Sequence, residues 1–163
     1  MKYFVSMLFS MLLGLLVGVA IAASFAGDLP DPDLTPGVVR KVTTAALCTT
    51  STKLVRHTTS ATKAAVYKAY GMHARTAPEC SGPGHACYEI DHRVALEDGG
   101  ADEQANLWPQ AYDGPWNAHM KDALENRLHK LVCEPKATMT VEQAQAVLLG
   151  DWTEGYTKYV GSK

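Results

Sequence analysis

Three polar side chains lie close together in the stretch YEIDHRVALEDGGADEQANLWP, which runs from Tyr88 to Pro109. Asp91 carries a carboxylate that can bind a divalent cation, and His92 carries an imidazole that can accept a proton near neutral pH. Asn106 follows the histidine by 14 positions, and its amide can both donate and accept hydrogen bonds. A cation ligand beside a proton acceptor suits hydrolysis of a phosphodiester, in which water is deprotonated as it attacks and a metal absorbs charge on the leaving oxygen.

The elements that must position these side chains are predicted to be two strands and a helix. CYEID has strand character, EDGGADEQ has turn chemistry, and ANLWP is typical of a short strand ended by proline. A helix is predicted from Pro115 to Cys133, with Asp113 as its candidate cap. The residues at helical spacing on its inner face are Asn117, Lys121, Leu124, Leu128 and Leu131. A hairpin followed by a helix therefore frames the three polar residues, in an α+β fold.

This order of motifs resembles that of the HNH nucleases, also called ββα-metal or His-Me finger endonucleases. The resemblance covers residues 88 to about 133 and depends on EIDH, GG, NLW and a polar helix in that order. GGADEQANLWPQ and KDALENRLHKLVC are similar to exported bacterial members of the group. The resemblance implies a ββα-metal core of a β-hairpin and a helix, with additional flanking helices. It also implies that His92 is the general base, that Asp91 is the first metal ligand, and that Asn106 ties the loop together and helps to hold the histidine ring.

The remaining metal ligand is expected near the start of the helix, where the family usually has histidine or asparagine. Asn117 lies on the same side of the predicted helix as its leucines, so it is expected to face the hairpin, whereas His119 lies on the far side. We favour Asn117 over His119, and Glu125 with His129, an i, i+4 pair, is a further candidate. Oxygen ligands favour Mg²⁺, and Mn²⁺ or Ca²⁺ would also fit, while Zn²⁺ requires a ligating histidine.

Charge is distributed unevenly along the chain. Residues 34–78 contain seven basic residues and no acidic one, whereas the chain from Glu79 onward has 7 basic and 14 acidic residues. A basic flank beside an acidic, cation-attracting site suits a phosphate backbone lying across a metal, although it would also suit an acidic protein surface or membrane phosphates. The residues predicted to contact nucleic acid are Arg56, Lys63, Lys68, Arg75 and, on the first strand, Arg93. A salt bridge on the outward face of the strand is the other interpretation of Arg93.

The first part of the chain predicts export. An apolar run from Tyr3 to Ala23 follows Lys2, and AIA at positions 20–22 offers the small residues that signal peptidase requires. We expect residues 1–22 to be a signal peptide, residues 23–36 an extended linker or arm, and residues 37–163 a single nuclease domain. Cleavage would leave a secreted or periplasmic protein without stable membrane association, and an uncleaved anchor helix is the other interpretation.

Four cysteines follow the predicted signal peptide, as expected in an oxidising compartment. Cys80 and Cys87 flank the turn-rich SGPGHA, so a local disulfide is geometrically easy and would leave Cys48 to pair with Cys133. We favour this pairing among the three connectivities that four cysteines allow. The competing interpretation is zinc bound by Cys80, Cys87 and a histidine such as His85, but the paired CxxC spacing of structural zinc sites is absent.

Additional helices are predicted on both sides of the motif. SATKAAVYKAYG predicts a short helix in Ser60–Gly71 that buries Val66 and Tyr70. A last helix is expected in Thr140–Leu149, capped by Thr140 with Gln143 three residues on, and DWTEGYTKYV would then pack its aromatic side chains on the body. VVRKVTTAALCTT is ambiguous between helix and strand.

These observations together predict an exported, metal-dependent endonuclease that cleaves DNA, with RNA left open as a substrate. Sequence specificity is expected to be low, because nothing resembles a separate base-reading module. The alternative is a catalytically inactive HNH fold that only binds nucleic acid or protein. A secreted toxin with an immunity protein as its partner is not indicated, since no delivery domain is visible.

Overall fold

The computed structural model describes residues 28–72 and 87–162. Within these ranges the chain forms one two-stranded antiparallel sheet and five α-helices, so the fold is α+β, as predicted. The strands are β1 (Tyr88–His92) and β2 (Leu107–Ala111), and the helices are α1 (Thr44–Thr49), α2 (Ser60–Ala69), α3 (Ala118–Cys133), α4 (Val141–Leu149) and α5 (Trp152–Tyr159). The predicted signal peptide, His85, Arg75 and Cys80 lie outside the described residues.

The hairpin forms where it was predicted, but its second strand is displaced along the chain. Asp91 pairs with Trp108, and His92 pairs with Leu107. The prediction that Pro109 ends β2 was wrong, because the strand continues to Ala111. A proline is tolerated at this position since each strand of a two-stranded sheet has an unpaired edge. Asn106 closes a short 3₁₀ turn immediately before β2.

Helix α3 begins at Ala118, three residues later than predicted. Asn117, and not Asp113, is its N-cap, because the Asn117 side-chain oxygen accepts a hydrogen bond from the N–H of Met120 at 3.2 Å. This bond satisfies one of the backbone donors that a helix leaves unpaired at its first turn. The buried face of α3 consists of Ala118, Lys121, Leu124, Glu125, Leu128 and Val132.

Two groups of buried apolar side chains surround the hairpin. The larger group joins α1, α3, α4, α5 and the loop that follows β1, and the smaller group joins α2 to the hairpin. Cys48 of α1 and Cys133 of α3 form the predicted disulfide, with Cα atoms 5.5 Å apart. The predicted partner of Cys87 lies outside the described residues, so that pairing stays a prediction.

The flanking helices match the sequence pattern closely. Val66 and Tyr70 are both buried against the hairpin, and the N-cap of α2 is Thr59, one residue before the candidate Ser60. The capping box of Thr140 and Gln143 at the start of α4 is confirmed. Trp152 of α5 is buried, and the segment that follows α4 packs its aromatic side chains on the body as predicted.

Part of the predicted arm is anchored to this body. Thr35 is fully buried, and its hydroxyl donates to the carbonyl of Leu107 at 2.9 Å. The guanidinium of Arg93 donates to the carbonyls of Thr35 and Leu149. The chain before α1 is therefore held against β2 and the end of α4.

Candidate active site

The loop that joins β1 to β2 is held by the side chain of Asn106, which is completely buried. Its amide nitrogen donates to the carbonyls of Val94 and Ala101 at 2.9 and 2.8 Å. Its amide oxygen accepts from the N–H of Val94 at 3.0 Å and from that of Val38 at 3.4 Å. These bonds use both amide hydrogens and the amide oxygen, so they fix the loop immediately after His92.

The paired glycines in this loop are required by its backbone. Gly99 has a φ of 88°, a conformation that side chains disfavour. A Cβ atom on Gly100 would lie 1.8 Å from the carbonyl oxygen of Val94, which no side chain could tolerate. The GG of the sequence motif is thus explained by the close return of the chain on itself beside β1.

His92 ends β1 and is 3% exposed. Its Nε2 atom lies 2.8 Å from Oδ1 of Asp102, whose carboxylate also accepts from the N–H of His57 and the hydroxyl of Thr58. Burial raises the pKa of Asp102, but the three hydrogen bonds outweigh burial and lower it to about 2. Burial lowers the pKa of His92, and the bond to Asp102 only partly opposes this. The pair at neutral pH is therefore an ionised carboxylate beside a neutral imidazole.

A small cavity of about 80 Å³ lies at the end of β1. It is lined by Asp91 and His92 of β1, by Glu125 of α3, and by Arg56 from the segment before α2. Thr52, Ala95, Leu96 and Glu97 complete the wall. Although Asp91 and His92 are consecutive in a strand, both therefore reach the same cavity, which the alternation of side chains along a regular strand would not have predicted.

Lys121 places a buried positive charge beside this cavity. It is 1% exposed, and its ammonium donates to Oδ2 of Asp91 and to the carbonyl of His92, each at 2.6 Å, and to Oε1 of Glu125. Burial alone would lower the pKa of Lys121, but the two carboxylates raise it above its usual value. Lys121 is therefore charged, and it offsets part of the negative charge of Asp91. Burial raises the pKa of Glu125 well above its usual value, and the ammonium of Lys121 opposes this increase.

Asp91, Glu97 and Glu125 line this cavity, and Lys121 brings the carboxylates of Asp91 and Glu125 together as a pair that can offer oxygen ligands to a cation. Among residues 28–72 and 87–162, no group of three or more His, Cys, Asp or Glu side chains could hold a metal ion. Two carboxylates nevertheless suit Mg²⁺, which proteins commonly bind through one or two carboxylates while water and substrate phosphates complete the shell. Because Lys121 binds Oδ2 of Asp91 and Oε1 of Glu125, the oxygens left for such an ion are Oδ1 and Oε2.

The other predicted ligands on α3 do not line the cavity. Asn117 uses its amide oxygen to cap α3, and its amide nitrogen donates to the carbonyl of Gly114 at 3.0 Å. His119 is exposed, with its ring centroid 5.7 Å from that of Tyr112. His129 lies one turn beyond Glu125, and its Nδ1 donates to the backbone carbonyl of Glu97 at 2.9 Å. The geometry favours Glu125 over all three.

The residues that were predicted to contact nucleic acid lie in different parts of the structure. Arg56 is exposed at the cavity, and Lys63 and Lys68 are exposed on α2. Arg93 is half-buried, and its guanidinium is engaged by backbone carbonyls, so its observed role is to hold the arm and α4 together. Arg75 lies outside the described residues.

Two residues of the site were missed by sequence reasoning. Asp102 was interpreted only as turn chemistry, because nothing in GGADEQ indicates that its carboxylate returns to a histidine ten residues earlier. Lys121 was assigned to the inner face of the helix without a function. A signal for it was present, since Lys121 and Glu125 are four residues apart and can pair on one helix face.

In the described parts of the chain, every helix is too short or too polar to cross a lipid bilayer. No protein-family model, curated protein or solved structure matches the chain.

Proposed function

We propose that this protein is an exported, metal-dependent endonuclease with a ββα-metal core of the HNH type. The observation that carries the proposal is that Asp91, His92, Glu125 and Arg56 line one cavity where the hairpin meets α3. Metal-dependent hydrolysis of a phosphodiester uses a proton acceptor, ligands for a divalent cation and a positive side chain that binds the phosphate. His92, the pair of Asp91 and Glu125, and Arg56 can supply these groups.

His92 is proposed to accept the proton of the attacking water. Its Nε2 is engaged by Asp102, so the proton would be taken by Nδ1. Because burial lowers the pKa of His92, the ring is neutral at pH 7 and its free nitrogen has a lone pair available. Loss of a positioned base of this kind typically slows a reaction by roughly 10² to 10⁴-fold.

Asp91 and Glu125 are proposed to hold the divalent cation, which is Mg²⁺ on the preference of carboxylate oxygens. A bound divalent cation would supply positive charge to the leaving oxygen. Glu125 takes the place that the sequence suggested for Asn117 or His119, since it lines the cavity with Asp91 and they do not. Lys121 keeps both carboxylates in place and prevents their mutual repulsion from opening the site.

Arg56 is proposed to bind the scissile phosphate, with Lys63 and Lys68 extending the basic surface along α2. Arg56 is exposed and lines the same cavity as His92, so a phosphate bound to it would lie near the attacking water. Contacts of this kind read the backbone and not the bases, so cleavage of DNA, and of RNA where it can enter, should show little sequence preference. The disulfide of Cys48 and Cys133 is consistent with a secreted or periplasmic location.

A non-catalytic binding module is the second candidate, and Lys121 is the observation that favours it. The ammonium of Lys121 already binds Asp91 and Glu125, so this pair is charge-balanced to a large extent without any metal. In that case the basic surface would bind nucleic acid and His92 would serve only to anchor the loop. This candidate predicts retention of DNA without cleavage.

Plasmid digestion separates the two candidates. Oxidised protein lacking residues 1–22 is incubated with supercoiled plasmid in EDTA, and then with Mg²⁺, Mn²⁺, Ca²⁺ or Zn²⁺ added singly, while a gel-shift assay in EDTA measures binding. The nuclease proposal predicts nicked and linear products with Mg²⁺ or Mn²⁺ and none in EDTA. Binding without cleavage under every metal would reject the nuclease and support the binding module.

A further inference from the structure

The carboxylate of Asp102 connects three segments that are distant along the chain. Its Oδ1 lies 2.8 Å from Nε2 of His92 and also accepts from the hydroxyl of Thr58, while its Oδ2 accepts from the N–H of His57. The side chains of His92 and Asp102 are only 4% and 5% exposed, so water competes little for these bonds. A carboxylate held by three donors cannot rotate without breaking a bond.

This arrangement decides which nitrogen of His92 carries the proton. An ionised carboxylate can only accept hydrogen bonds, so Nε2 of His92 must be the donor to Asp102. A neutral imidazole has one protonated nitrogen, and Nδ1 is therefore left with the lone pair. The group that fixes the tautomer is a carboxylate, which binds an imidazolium more strongly than a neutral backbone carbonyl would.

We infer that Asp102 is a positioning residue, which fixes His92 in the Nε2–H tautomer so that Nδ1 can accept the proton of the attacking water. This inference rests on the proposed function, in which His92 is the general base. Asp102 does not touch substrate in this account, and it acts through His92. Through His57 and Thr58 it also fixes the segment that carries Arg56 to the cavity.

Asp102→Asn tests the tautomer directly. To keep a bond from the N–H of His57, the asparagine must turn its oxygen to the position of Oδ2, which places its NH₂ against Nε2 of His92 and the hydroxyl of Thr58. Both of these can accept, so all the bonds can be retained, but Nε2 must then give up its hydrogen. The proton moves to Nδ1, and the lone pair no longer faces the water. The corresponding exchange in a Ser-His-Asp triad lowers turnover about 10⁴-fold for the same reason.

The experiment combines ¹⁵N NMR of the imidazoles with steady-state cleavage kinetics. His92 is assigned among the six histidines by comparison with His92→Gln. The parent should show Nε2 protonated and Nδ1 unprotonated, and Asp102→Asn should show the reverse, with kcat lowered 10² to 10⁴-fold and KM nearly unchanged. Glu103→Gln is the matched control, because it removes an exposed carboxylate from the adjacent position and should alter neither spectrum nor kcat.

Thr58→Val is a milder second variant, since it removes one hydrogen bond to Asp102 and leaves the charge in place. It should retain the Nε2–H tautomer and lower kcat about 2 to 10-fold, the loss expected from one net hydrogen bond. An Nδ1–H tautomer in the parent, or an unchanged tautomer in folded Asp102→Asn, would overturn the inference. If the tautomer reverses as expected while neither protein cleaves DNA, Asp102 still positions His92 and the proposed nuclease function fails instead.

Discussion

Asp98 is predicted to make the stability of this protein fall as the pH rises through neutrality. Asp98 is fully buried in the loop after β1, and among the described residues both oxygens of its carboxylate lack a hydrogen-bond partner. Burial raises its pKa from 3.8 to about 8, Glu97 adds to the increase, and Lys121 opposes it. The folded protein therefore keeps this carboxyl protonated at pH 7, whereas the unfolded chain ionises it.

The sign and size of the effect follow from proton linkage. Between about pH 4 and pH 8 the folded state binds one more proton at Asp98 than the unfolded state, so the free energy of unfolding decreases with pH. Each pH unit is worth about 1.4 kcal/mol, so this group alone should cost about 4 kcal/mol between pH 4 and pH 7. The decrease should stop near pH 8, where the folded-state carboxyl ionises as well.

Asp98→Asn isolates this contribution, because asparagine has nearly the same shape and does not titrate. Urea unfolding at pH 4.5, 5.5, 6.5 and 7.5 gives the free energy of unfolding of both proteins, and their difference removes the titration of groups that they share. A change in stability caused by the buried amide itself is the same at every pH, so the slope of the difference against pH is the informative quantity. The free energy of unfolding of Asp98→Asn minus that of the parent should increase by about 1 kcal/mol or more for each pH unit. If this difference does not change with pH, Asp98 is not a protonated, buried carboxyl in the folded protein.

Two further predictions concern the metal ligands and the disulfide. Glu125→Gln should weaken Mg²⁺-dependent cleavage, with partial rescue at high Mg²⁺, whereas His119→Ala should cleave at a rate within about threefold of the parent rate. Plasmid digestion over a Mg²⁺ titration measures both effects. The opposite pattern would place the metal ligand on His119. Replacing Cys48 and Cys133 by serine should lower the free energy of unfolding by about 4 to 5 kcal/mol, because the disulfide closes a loop across a sequence separation of 85 residues. Thermal unfolding measures this loss, and an unchanged Tm would show that the disulfide is not formed in solution.

Local signals in the sequence predicted most of the elements. The capping box of Thr140 and Gln143, the helix that buries Val66 and Tyr70, and the strand character of CYEID each specify their structure within a few residues. The predicted start of α3 was wrong because Asn117 and Asp113 are both good N-cap residues, and only the hydrogen bond from the N–H of Met120 to Asn117 distinguishes them.

The contacts that define the candidate site were less predictable, since they join residues that are distant along the chain. Asp102 reaches His92 only because the loop between the strands folds back around Asn106. Periodicity placed Lys121 on the inner face of α3, but no pattern of spacing shows that its ammonium meets Asp91 across the hairpin. Tertiary packing, and not local propensity, determines both contacts.

The rate of plasmid nicking by His92→Ala shows whether His92 is the general base. With saturating Mg²⁺, the variant should nick supercoiled DNA at least about 10²-fold more slowly than the parent, because the attacking water loses its proton acceptor. Its Tm, and its affinity for DNA in EDTA, should match those of the parent. The affinity should be retained, since Arg56 and the lysines of α2 are untouched. A folded His92→Ala protein that nicks DNA within threefold of the parent rate would contradict the proposed mechanism.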